Sequence, residues 1–399
     1  MIKRFDNYAQ YVLVLGFSLL IGGVVGAITA VFGRVLLFLT AFRSDYIAYL
    51  LPFLSIVGLF IVFVYQKFGG KSVKGMGLVF EVGHGNEETI PKRLVPLVIL
   101  TTWLTHLFGG SAGREGVAVQ IGATVSHYFQ KYCRLQNASQ LFLVMGMAAG
   151  FAGLFQTPLA ATFFAIEVLV VGRLMVSYVL PSLIAALTAN FVSSHSLGLE
   201  KFSHSIATSM ALTPDIILKL LVLGLCFGLC GNLFAYLLAK AKLIASSRLL
   251  NPYKRIFTLG LLATFLLFIF HFGRYSGLGT NLIEASFTNK NLYDYDWLLK
   301  LCLTVITLAA GYQGGEVTPL FAIGASLGVI IAPILGLPVI LVAALGYTSV
   351  FGSATNTLLG PILIGGEVFG FANTPYFVIV CLVAYSISHA HTIYGAQSR

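Results

Sequence analysis

Apolar runs, one after another with little charge between them, constrain this chain more than any other feature. About fourteen can be read, near 11–40, 50–66, 94–109, 116–129, 138–155, 158–172, 175–194, 214–239, 256–273, 297–311, 319–335, 337–351, 358–371 and 375–388. A soluble chain covers its surface with charge, about 25% of residues on average; here 10% are charged and 58% hydrophobic. That excludes a cytosolic globule, a disordered chain and a secreted disulfide scaffold. An all-α polytopic membrane protein remains. Many runs fall short of the roughly 20 residues of a simple span and stop at Gly or Pro. Broken, tilted helices of that kind are tolerated at membrane depth where they line a cavity.

The formal net charge of +10 is spread thinly between the runs. It reads as loop charge that sets orientation, with no nucleic acid as partner and membrane lipid as the surroundings. The run after Met1–Arg4 continues from Tyr11 to Phe38, broken only by Arg34. A cleaved signal segment has an apolar stretch of about 7–15 residues, so this one is expected to stay as a first span. Cys133, Cys226, Cys230, Cys302 and Cys381 lack zinc-ligand spacing and read as packing residues. His84 and His106 are isolated and read the same way. No P-loop and no Ser–His or Asp–Asp pair stands out, so neither an enzyme nor a metal or cofactor protein is expected. Little chain follows the last run. Residues 1–399 are therefore expected to form a single transport domain without a soluble regulatory domain.

An internal repeat is visible. Leu13-Val14-Leu15-Gly16 recurs as Leu221-Val222-Leu223-Gly224. Leu141, Gly146, Phe151, Thr157, Leu159, Glu167 and Val168 recur as Leu341, Gly346, Phe351, Thr357, Leu359, Glu367 and Val368. Between these pairs, Gly113 with Gly122-Ala123 matches Gly315 with Gly324-Ala325. Two repeats are expected, 1–200 and 201–399. Lys3 and Arg4 precede the first long run, whereas Lys240, Lys242, Arg248, Lys254 and Arg255 follow its partner. If both basic ends face the cytoplasm, the matching helices run in opposite directions, an inverted-topology repeat with its site near the midplane.

Ionisable residues at membrane depth are costly and are functional candidates by default. Glu115 lies in Gly113-Arg114-Glu115-Gly116-Val117, a Gly-rich helix start. Such a start aims N–H groups and the positive end of the helix dipole at an anion. A carboxylate there can take the anion's place and leave when protonated; the plainer alternative is a pair with Arg114. Glu316 lies in a second such start, Gly315-Glu316-Val317-Thr318-Pro319, where Thr318 offers a hydroxyl. There the alternative is a carboxylate that merely suits the dipole. Gly75-Met76-Gly77 is a third start, weaker by itself and equally readable as a plain turn. Glu167 and Glu367, matched across the repeat, are expected at helix-end contacts. Tyr394 follows the last run and can donate to an ion if the tail folds back; an interfacial tyrosine is the other reading. Ring edges of some of the 32 Phe can also face an anion.

Taken in order, the three helix starts resemble those of the CLC family of chloride channels and anion/proton antiporters. Gly113-Arg114-Glu115-Gly116 is similar to that family's gating-glutamate motif, and Gly315-Glu316-Val317-Thr318-Pro319 to its second pore motif. The chloride-transporting pattern has Gly-Ser-Gly-Ile-Pro in the first loop; here Met76 replaces the serine. Val168 stands where the internal proton glutamate is expected. Met76 together with Gly-Gly-Glu-Val-Thr-Pro resembles the CLC-F branch of bacterial fluoride/proton antiporters. The resemblance implies fluoride export coupled to proton entry across a bacterial inner membrane, by a homodimer with one pore per subunit. It implies Glu115 as gate and proton coupler, Glu316 as its partner, and Tyr394 as a cap at the inner gate. A chloride/proton exchanger or a passive anion channel of the same fold is the alternative.

Overall fold

The computed structural model describes residues 2–207, 210–288, 291–387 and 390–398, and for 2–9 the backbone alone. The first eight helices are α1 (Ile2–Leu50), α2 (Leu54–Val64), α3 (Met76–Gly83), α4 (Leu94–Leu107), α5 (Glu115–His127), α6 (Ala138–Phe155), α7 (Pro158–Glu167) and α8 (Val179–Phe191). The next eight are α9 (Pro214–Arg248), α10 (Pro252–Ile269), α11 (Thr280–Phe287), α12 (Asp296–Ala310), α13 (Val317–Leu335), α14 (Val339–Thr355), α15 (Leu359–Phe369) and α16 (Thr374–Ser386). The chain is thus an all-α polytopic membrane protein, as its composition requires.

Local sequence sets many of the ends. Thr213 caps α9 by accepting from Ile216 N at 3.4 Å, with Pro214 at the first helical position. Asn251 caps α10 by accepting from Tyr253 N at 2.9 Å, ahead of Pro252. The matched helices α6 and α14 both stop at a left-handed residue, Gln156 (φ 59) and Asn356 (φ 52). The sequence repeat therefore extends to the backbone conformation of the helix ends.

Two layers of packing follow the same order in each half. Helix α5 lies on α6, and α13 on α14. Both contacts are backbone on backbone. A Cβ on Gly122 would lie 2.0 Å from Gly146 O, and one on Gly324 would lie 2.0 Å from Gly346 O. Helix α1 packs on α6 and α8, and α9 on α14 and α16. Of the most apolar window in each helix, 89% is buried in Ala138–Phe155 but 28% in Pro252–Ile269. So α6 is central, whereas α10 is peripheral and turns its apolar residues outward, as a lipid-facing helix must.

The structure corrects some boundaries. The first run, expected over 11–40, extends to Leu50 and bends at Tyr46, where the dihedrals leave the helical range. Two eight-residue helices, α3 and α11, fall outside the apolar runs, because the sequence signal over so few residues is too weak for periodicity. The side chains of Lys3 and Arg4, used in the orientation reading, lie outside the described residues. All five cysteines are free, and Cys133, Cys230 and Cys381 are buried.

Candidate functional site

The starts of α5 and α13 meet at the centre of the molecule. Gly113 N donates to Gly315 O at 2.5 Å and Gly315 N to Gly113 O at 2.7 Å, an isolated antiparallel bridge between matched residues. Only glycine allows this approach. A Cβ on Gly113 would sit 2.8 Å from Pro319 Cδ and 2.9 Å from Gly315 O. A second reciprocal contact lies deeper. Glu167, ending α7, accepts from Leu358 N (2.6 Å), Leu359 N (3.0 Å) and Gly360 N (3.3 Å) at the start of α15. Glu367 accepts from Leu159 N (3.1 Å) and Ala160 N (2.8 Å) at the start of α7. Each carboxylate satisfies N–H groups that a helix start leaves unpaired. The helix-end contact expected of Glu167 and Glu367 is what the structure contains.

The bridge brings Glu115 against Thr318. Glu115 is 1% exposed. Its Oε2 accepts from Thr318 N at 3.2 Å, from Arg114 N at 3.3 Å, and from the Thr318 hydroxyl. Arg114 Nε stands 3.6 Å from Oε1, so the pairing with Arg114 exists as well. The carboxylate occupies a pocket of donors built by two helix starts, an anion's position. Hydrogen bonds to a charged group contribute about 1.5–3 kcal/mol each. Such a donor set favours any anion that fits, whether carboxylate or a free ion.

Two cavities flank this point and share no lining residue. One, of about 180 Å³, is lined by Arg114, Glu115 and Thr318 with Phe155, Thr280 and Tyr347 among others. The other, of about 280 Å³, is lined by Gly75, Met76, Gly77, Glu316 and Tyr394 with Gln120 and Lys242 among others. The C-terminal tail therefore folds back, as one reading of Tyr394 requires. Tyr394 is 4% exposed, its ring lies 5.2 Å from that of Phe80, and its hydroxyl has no hydrogen-bond partner. Lys242 Nζ is 3.6 Å from Glu316 Oε1. Between the cavities runs a column of rings. Tyr347 stacks on Phe321 at 4.0 Å, Phe321 meets Phe351 at 5.2 Å, Phe351 meets Phe164 at 5.6 Å, and Phe164 meets Tyr394 at 6.5 Å.

The site candidates read from the sequence divide between the two cavities, the bridge and the core. Met76, Gly75, Gly77, Glu316 and Tyr394 share one cavity, and Glu115, Arg114 and Thr318 the other. Gly113 and Gly315 form the bridge. Val117 and Val317, each 1% exposed or less, line neither cavity and belong to the core. Gly116 lines neither, though a Cβ there would come within 3.5 Å of Gly315 Cα. His106 is fully buried between Thr102 O and Ala112 O, a packing role. Val168 is buried with no titratable group of its own.

Sequence reasoning missed Gln120, Lys242, Tyr347 and Lys300. Gln120 Oε1 is buried without a partner beside the Met76 loop. Lys242 was read only as a charge that sets orientation. Lys300 stands within an apolar run, the same signal that marked Glu115.

The model of the voltage-gated chloride channel family matches residues 57–389. The chain belongs to the CLC family. Its CLC relatives include a chloride/fluoride channel protein of Pseudomonas syringae pv. tomato, 36% identical over 88% of this chain and 78% of that protein. A voltage-gated ClC-type chloride channel ClcB of Escherichia coli O157:H7 is 26% identical over 77% of this chain and 74% of its own. Among solved CLC structures, a CLC-type fluoride/proton antiporter is 55% identical with a TM-score of 0.96, covering 98% of this chain and 99% of that one. A slow cyanobacterial chloride/proton antiporter, 20% identical with a TM-score of 0.79 over 93% of each chain, shares the fold.

Proposed function

We propose that this CLC protein exports fluoride in exchange for protons. The reading rests on one observation above others: the Glu115 carboxylate fills a donor pocket between two cavities, held by the Thr318 N–H and hydroxyl. Protonation of Glu115 removes the charge that those donors hold. The neutral side chain leaves, and an anion takes its place. The proton travels with Glu115 and the fluoride moves the other way, so the two fluxes are linked. Glu316 receives the proton on the side where Lys242 and Tyr394 also stand. Met76 supports fluoride as the ion, since a thioether offers no O–H donor where chloride transporters place a serine. The high identity to a fluoride/proton antiporter supports the same ion.

The chain consists of two inverted halves, 1–200 and 201–399, in a bacterial inner membrane. The cavity of Glu316 and Lys242 faces the cytoplasm, in keeping with Lys240, Lys254 and Arg255 at the same end. It works as a homodimer with one pore per subunit, an inference that rests on the CLC-F resemblance. Purified protein in fluoride-loaded liposomes tests the function: fluoride efflux is expected with stoichiometric proton uptake. Efflux without proton movement makes the protein a passive channel, and preference for chloride makes it a chloride/proton exchanger.

A further inference from the structure

Lys300 is 0% exposed in α12, and none of the ion pairs among the described residues includes it. An ammonium in an apolar interior is costly unless its donors are satisfied. Here they are. Nζ donates to Gly277 O at 2.6 Å, Ser111 Oγ at 2.9 Å and Tyr275 O at 3.1 Å. Three acceptors meet the three N–H bonds of an ammonium.

These acceptors belong to two loops. Gly277-Leu278-Gly279 stands in the second half where Gly75-Met76-Gly77 stands in the first. Both loops lead into an eight-residue helix, and Gly75 and Gly277 have φ 52 and 62. The first loop lines an open cavity. The second closes around Lys300 and pairs with the segment ahead of Glu115. Gly277 N donates to Gly110 O at 3.0 Å, and Gly277 O accepts from Ala112 N at 3.2 Å. Ser111 is held further by α12, through Thr304 Oγ1 at 2.9 Å and from its own N–H to Thr307 Oγ1 at 3.2 Å. From the opposite side His106 Nε2 meets Ala112 O at 2.9 Å, and Arg43 Nη1 donates to His106 O at 2.9 Å.

We propose that Lys300 is a positioning residue for Glu115. It ties the second-half copy of the anion loop to Ser111, and so fixes the Gly110–Gly113 segment that sets the Glu115 carboxylate against Thr318. It also breaks the equivalence of the two halves. The first-half loop lines the cavity of Glu316 and Tyr394, whereas in its copy the Gly277 carbonyl accepts from Lys300 and only Gly279 lines a cavity, a separate one of about 270 Å³. The inference rests on the proton-coupled reading above, because its consequence is a change in coupling.

Fluoride and proton fluxes in liposomes test it, with the wild-type chain alongside. Lys300→Met keeps the apolar stem and removes the ammonium; Ser111→Ala keeps the ammonium and cuts one tie. Each is expected to reduce protons moved per fluoride at least about twofold, since small displacements of a reacting group cost large factors. Each should also flatten the dependence of flux on external pH. The double variant should be no worse than Lys300→Met alone, because both act through one contact. A variant that melts at lower temperature but keeps the wild-type ratio and pH profile shows a role in stability only, and overturns the proposal. If Lys300→Met yields no folded protein, Ser111→Ala decides by the same two readouts. A wild-type protein that moves fluoride without protons overturns the functional reading first, and this inference with it.

Discussion

At the residue scale, the chemistry concentrates in a few side chains whose neighbours are now defined. Glu115→Gln keeps the shape and removes the charge that competes with an anion. Proton uptake linked to fluoride efflux should fall at least about tenfold, as expected for loss of a general acid/base group; normal proton transport in this variant refutes the role as gate. Thr318→Val removes one hydroxyl donor of about 1.5–3 kcal/mol. Fluoride affinity measured by calorimetry should weaken by roughly tenfold or more. Met76→Ser adds a hydroxyl to the cavity of Glu316 and Tyr394 and should shift preference toward chloride in paired efflux assays. Equal halide ratios in variant and wild type remove Met76 from the selectivity account. The carboxylates were legible in the sequence because charge is rare there. Gln120 and Tyr347 were not, because an amide and a ring in an apolar run look like any packing residue until their surroundings are known.

At the element scale, stability depends on close helix contacts and on charged groups at helix starts. Glu167→Ala leaves three N–H groups at the start of α15 without their carboxylate. A buried unsatisfied donor costs about 1–3 kcal/mol, so the melting temperature in detergent should drop clearly. Gly324→Ala would place a Cβ 2.0 Å from Gly346 O and is expected to prevent recovery of folded protein. Monodisperse Gly324→Ala of normal stability contradicts that contact. Long helices such as α6 and α9 were legible from their apolar runs. Helices α3 and α11 were not, since eight residues give barely two turns and their burial comes from neighbours. Of the two, only α3 carried a hint, the glycines on either side of Met76.

At the scale of the whole molecule, the two halves repeat helix by helix, and reciprocal contacts join them. The proposed opposed orientation of the halves predicts a labelling pattern. With native cysteines replaced, Ser247→Cys at the end of α9 should react with an impermeant thiol reagent only from the cytoplasmic side, and Ser44→Cys near the end of the matching α1 only from the outside. Both residues are exposed. Labelling of both from one side contradicts the inverted arrangement.

The sequence by itself determined the class of molecule. Runs of apolar residues with so little charge have one stable solvent, the bilayer, and in a bilayer the backbone must pair within helices. It also singled out the candidate carboxylates, because each costs energy at that depth and needs a compensating role. The tertiary structure alone decided which donors face Glu115, that Tyr394 returns to the cavity of Met76, and that Lys300 closes the second copy of the loop. Those contacts join residues roughly 200 to 300 positions apart, such as Glu115 with Thr318 and Met76 with Tyr394. Local propensity carries no information across that distance; only the packing of the helices that hold these residues brings them together.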